Sequence, residues 1–144
     1  MQVRRRFAWL ALVGALLLPA AACGGGTESL EGTSWQPTDL GGIPVVEGSD
    51  AFVAFGTEPD LNGSTGCNSF TGGWSAAGGD GSIEILTGAM TLAACATEEL
   101  QAVETAFLAA LNAALFYEGG GDTLTLLDGD KNQLAELATA DTAE

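Results

Sequence analysis

The chain has 144 residues, enough for one domain, and sets 19 acidic side chains against four basic ones. It contains no histidine, which excludes His-based triads, His zinc sites and haem held by histidine. A net charge of −15 repels nucleic acid and anionic lipid head groups, and favours a soluble monomer.

The N-terminus has the layout of a secretory signal over residues 1–22. Arg4, Arg5 and Arg6 are followed by an apolar run of twelve residues from Phe7 to Leu18, then by Ala20-Ala21-Ala22 before Cys23. The run is shorter than the roughly 20 residues a spanning helix needs, although an uncleaved anchor is one alternative. Small residues ending in a cysteine resemble a bacterial lipobox, with Ala20 where that family usually carries Leu. The resemblance implies cleavage before Cys23, acylation of Cys23, and attachment to the extracytoplasmic face of the cell-envelope membrane. An ordinary cleaved signal, releasing a secreted protein, is the other reading. Gly24-Gly25-Gly26 suits a flexible tether running through Ser29. Without residues 1–22 the only basic side chain is Lys131, and the side-chain charge becomes −18.

From Leu30 onward the patterning is that of a folded domain. Thr33 to Pro37 reads as a strand carrying Trp35, and Ile43 to Glu47 as a short extended piece at an edge, where Pro44 is tolerated. Ala51 to Phe55 is an apolar strand, and Glu58 to Asn62 carries the Pro59-Asp60 turn signature. A strand pair interrupted near Gly66 follows, with Phe70 and Trp74 on one face. Ser82 to Leu86 alternates as a strand, and Ala89 to Ala94 is extended up to Cys95.

The period then changes. Leu100, Val103, Phe107, Leu111 and Leu115 fall at intervals of three and four, which predicts one helix over Thr97–Tyr117 with Thr97 as N-cap and Gly119-Gly120-Gly121 as its stop. Asp122 to Leu127 and Gln133 to Ala138 read as a closing hairpin around residues 128–132, with a frayed tail over 139–144. Strands, one helix and further strands make an α+β domain over residues 30–138, mainly antiparallel β.

With Cys23 assigned to lipid, Cys67 and Cys95 remain as an even pair in an oxidising compartment. A structural disulfide is the favoured reading, and metal binding by the two thiols is the alternative.

The search for catalytic chemistry finds little. No glycine-rich loop leads into Lys-Ser or Lys-Thr, so a P-loop is absent. Asp128, Asp130 and Asn132 open like a calcium loop, but Gln133 and Thr139 stand where Gly and a bidentate Glu are needed. Glu98 and Glu99 point apart on a helix, Glu84 faces outward from a strand, and Glu104 reads as a solvated flank of the apolar stripe. These residues predict no catalytic group, no metal and no cofactor.

Several spaced motifs resemble the META domain, or HslJ-like, family. They are Gly32-Thr33-Ser34-Trp35, Gly66-Cys67-Asn68-Ser69-Phe70-Thr71-Gly72 and Thr91-Leu92-Ala93-Ala94-Cys95, with Glu104, Phe107 and Leu111 on the helix and Asp122-Thr123-Leu124-Thr125-Leu126 after it. The resemblance implies a small, incompletely closed antiparallel barrel with one helix packed against it, in a secreted or envelope protein. It also implies links to stress response in some relatives, and supports the Cys67–Cys95 bridge. It brings no catalytic residues. The expected function is therefore a non-enzymatic, lipid-anchored module that contacts an envelope protein or the cell wall. The alternative is a binder of a small apolar ligand or lipid, held between helix and sheet near Phe52, Phe55, Trp74 and Phe107.

Overall fold

A computed structural model describes residues 27–140. The expected signal segment, Cys23 with Gly24–Gly26 of the tether, and positions 141–144 of the tail lie outside the described residues. Eight strands and one helix follow in the order β1 (Thr33–Asp39), β2 (Ala51–Phe55), β3 (Asp60–Thr65), β4 (Ser69–Ala77), β5 (Ser82–Met90), α1 (Glu98–Ala113), β6 (Phe116–Gly120), β7 (Thr123–Leu127) and β8 (Gln133–Thr139). Every strand pairs antiparallel with its neighbours in sequence, and β8 returns to pair with β1.

The result is a ring-like sheet whose joints differ in width. β2 and β3 are in register over five residue pairs, whereas β5 and β6 meet at one, Ser82 with Phe116. Two backbone bonds flank that pair, from Ile83 N–H to the Leu115 carbonyl and from Tyr117 N–H to the Gly81 carbonyl. The expected incompletely closed barrel is thus a ring with one thin seam.

Alternation fills the interior. Val53 and Phe55, Phe70 and Trp74, Ile83 and Ile85, Leu124 and Leu126, and Ala135 and Leu137 all point inward from their strands. Val103, Phe107, Ala110 and Leu111 supply the buried face of α1, which packs against β3, β5, β7 and β8 and so plugs the ring. Phe107 meets Phe70 edge-on with ring centroids 6.5 Å apart, and Phe55 meets Trp74 in the same manner at 5.1 Å. Thr97 caps the helix as its sequence position predicts, accepting from Leu100 N–H at 3.2 Å.

The structure corrects the chain reading in five places. The helix ends at Ala113, and Leu115 leaves the apolar stripe because its N–H pairs with the Leu127 carbonyl in the sheet. The glycine run does not stop the helix, but ends β6 and turns into β7. Residues 43–47 form no strand, being reached only by the isolated bridge between Leu40 and Ile43. Glu28, expected in the tether, is held to the domain, because its carbonyl accepts from the Tyr117 hydroxyl and its Oε2 from Gly121 N–H. Thr139 and Ala140, expected in the tail, are held too, since Thr139 pairs with Trp35 and Ala140 N–H donates to the Ser34 carbonyl.

Candidate functional site

The turn between β3 and β4 is the most heavily cross-braced part of the molecule. Gly66 sits there at φ +91°, a left-handed conformation that a side chain would strain. This lets the Thr65 N–H reach the Asn68 carbonyl at 2.8 Å, closing the turn. Thr65 Oγ1 accepts from Asn68 N–H at 3.0 Å and from Cys67 N–H at 3.3 Å, while its own proton goes to Glu104 Oε2 at 2.6 Å.

Asn68 uses its whole amide. Oδ1 accepts from Ala93 N–H at 2.7 Å and from the Thr91 hydroxyl at 2.9 Å. Nδ2 donates to the Ala93 carbonyl at 3.0 Å and to Glu104 Oε2 at 2.8 Å. The side chain thus pairs with both backbone groups of Ala93 as a neighbouring strand would, holding residues 91–93 beside the turn although they belong to no strand. All four hydrogen-bonding sites of a buried amide are satisfied. Directly beside it, Cys67 and Cys95 form the expected disulfide, with Cα atoms 5.1 Å apart.

Glu104 is therefore no solvated flank. It is only 8 % exposed, and two donors converge on one of its oxygens. The spacing of α1 hid this role, because a carboxylate next to an apolar stripe has the same signature whether it faces water or a buried amide. The signal that could have revealed it was Thr65 and Asn68 flanking Gly66-Cys67, a set of short polar side chains with no evident solvent role.

The four aromatics proposed to bind an apolar ligand do not share a surface. Phe55, Trp74 and Phe107 are core residues, and Trp74 Nε1 donates to the Gly56 carbonyl at 3.2 Å. Phe52 lies on the other face of β2 from Phe55, because side chains alternate along a strand. A small cavity of about 100 Å³ lies elsewhere, between Leu30, Trp35 and the β6–β7 turn. More open hollows also lie on the surface: one of about 360 Å³ between Ser75, Glu84 and Phe116 touches none of the four aromatics, and two of about 200 and 220 Å³ border Trp74.

At the other sequence-selected positions the structure shows ordinary turns. Asp128 accepts through Oδ1 from the N–H groups of Asp130 and Asn132, each at 2.9 Å. Those bonds from Asn132, backbone first and side chain second, hold its carboxyl below the ordinary value of 3.8. Glu84 is exposed, as alternation predicts.

These features define a small helix-plugged ring of antiparallel strands, pinned at one corner by a disulfide and a buried polar cluster. The META domain profile matches residues 28–141, and the chain belongs to the META domain family. None of the curated proteins matches the sequence. Solved structures with the same fold include one described only as an NMR structure of a protein, at 19 % identity and a TM-score of 0.58, covering 80 % of this chain and 95 % of that one. A DUF4847 family protein from Bacteroides vulgatus is 18 % identical with a TM-score of 0.58, over 76 % and 93 % of the two chains. A protein from Burkholderia xenovorans is 20 % identical with a TM-score of 0.56, over 96 % and 99 %.

Proposed function

We propose that this META domain protein is a non-enzymatic module of the cell envelope, anchored through acylated Cys23 and acting by contact with an envelope protein. The observation that carries the reading is the strap over residues 91–95. Leu92 is 88 % exposed on it, while Asn68 and the Cys67–Cys95 bridge hold the strap on either side of that leucine. A rigidly presented apolar side chain loses little conformational freedom on binding, which favours recognition.

Two experiments test the two halves of the proposal. Metabolic labelling with a palmitate analogue should mark the wild-type chain and not Cys23→Ala, with the variant lost from the membrane fraction; equal labelling of both removes the anchor. A photo-crosslinking residue at position 92 should trap a discrete envelope protein in whole cells, and the same probe at exposed Glu84 should not. Identical crosslinking patterns at the two positions, or a specific turnover by the purified protein, would sink the contact reading.

A further inference from the structure

Beyond this reading, we propose that reduction of the Cys67–Cys95 bridge creates a binding site for one soft divalent cation such as Zn²⁺ or Cd²⁺, with Glu104 as the third ligand. The sulfurs of Cys67 and Cys95 and a carboxylate oxygen of Glu104 all lie within 4.8 Å of one another. Ligands on one tetrahedral cation, at bond lengths of about 2.0–2.3 Å, stand roughly 3.3–3.8 Å apart, so after reduction the two sulfurs part and small side-chain rotations bring in the carboxylate oxygen. Thiolates select this class of metal over calcium or magnesium, whose preferred donors are oxygen.

Two features make the site more than a pair of thiols. First, the cysteines stay adjacent without their covalent bond, because Asn68 binds both backbone groups of Ala93 and holds the strap against the turn. Second, Glu104 is already oriented. Thr65 and Asn68 both donate to Oε2, and the other carboxylate oxygen takes no side-chain hydrogen bond among the described residues. Such outer contacts fix a ligand in place before the metal arrives. The only basic side chain among the described residues, Lys131, sits over the Phe116 ring, so no fixed cation occupies the position. The charge balance of the chain draws divalent cations towards it.

The chemistry is balanced. A thiol or phosphine reductant supplies two electrons, the S–S bond breaks, and two protons complete the thiols. The cation then forms two metal–sulfur bonds, and both thiol protons pass to solvent. Glu104 adds a third bond, and water completes four-coordination. A disulfide or peroxide oxidant takes two electrons from the bound thiolates, the S–S bond re-forms and the metal is released.

The test titrates Cd²⁺ into purified full chain, with Cys23→Ser in every sample so that only two thiols remain. Cadmium–thiolate charge-transfer absorbance and proton release are followed together. The reduced chain should take up one Cd²⁺ and release two protons while keeping its circular dichroism spectrum, and the oxidised chain should take up none. Glu104→Gln should weaken the reduced site at least about tenfold. If that variant is unfolded even when oxidised, Glu104→Asp, which keeps the charge and shortens the reach, replaces it with the same expectation. Failure to bind one ion, binding only by unfolded chain, or unchanged affinity in the folded Glu104 variant overturns the proposal.

Discussion

The two ends of α1 join the ring in opposite ways. Ahead of its N-terminus, Cys95 is bonded to Cys67, and nearly two turns into the helix Glu104 is tied to Thr65 and Asn68. At its C-terminus the links are sparser. Asn112 accepts from Thr87 N–H at 3.0 Å, capping an edge of β5, and the chain then enters the sheet as β6, paired with β7 over five residues but with β5 only at Ser82–Phe116. One corner is held by a covalent bond and buried polar groups, the other by a few exposed bonds. The difference predicts uneven local stability, with the thin seam expected to open first.

The largest test of this contrast removes the bridge. Its cysteines are 28 residues apart, for which the chain-entropy estimate is at most about 3.6 kcal/mol. Cys67→Ala with Cys95→Ala should therefore lower the unfolding free energy by up to that amount, read from denaturant midpoints. Next comes Asn68→Ala, which removes all four amide hydrogen bonds, frees the strap at Ala93 and leaves buried Glu104 with Thr65 as its one side-chain donor. A loss of about 2–3 kcal/mol is expected in the same measurement. At the other end, Asn112→Ala removes exposed bonds only and should cost about 1 kcal/mol or less. If Asn112→Ala proved as damaging as Asn68→Ala, the contrast would fail.

Hydrogen exchange sharpens the comparison without mutation. The amides of Ile83 and Tyr117 at the seam should exchange well before those of Thr65 and Asn68. The smallest effect belongs to the exposed β7–β8 turn. Because the Asp128 pKa is lowered in the folded protein, its contribution is present above about 3.8 and fades as pH falls through the folded value. Asp128→Ala should thus be slightly destabilising at neutral pH, with the deficit shrinking below about pH 4 in a series of thermal melts.

Much of the architecture was legible because it rests on periods. An apolar run located β2, alternation located the first part of β5, and the three–four spacing located the buried face at Val103, Phe107 and Leu111. The same rule overran at Leu115, four residues past Leu111, because spacing cannot register that Ala114 turns to ψ 125° and leaves the helix. β6 was lost with it. The polar corner was only half visible. Counting thiols paired Cys67 with Cys95, but the link from Asn68 to Glu104 spans 36 positions and becomes apparent only when the turn and helix pack together. The strap at residues 91–93 is extended as read, yet past the Thr91 N–H bond to the Ser69 carbonyl its backbone is held at Ala93 by the Asn68 side-chain amide.

The order of strands around the ring carries a further consequence for how the chain becomes folded. Each joint but one unites segments consecutive in sequence, so hairpins can be laid down one after another as the polypeptide lengthens. Only the joint between β8 and β1 brings together opposite ends of the domain, with Thr139 reaching back to Trp35. Until those last residues arrive, β1 and β7 each present an open edge on which another chain can grow a sheet. A product cut short before Gln133 would keep its bridge, helix and most of its core, and still be the sticky one.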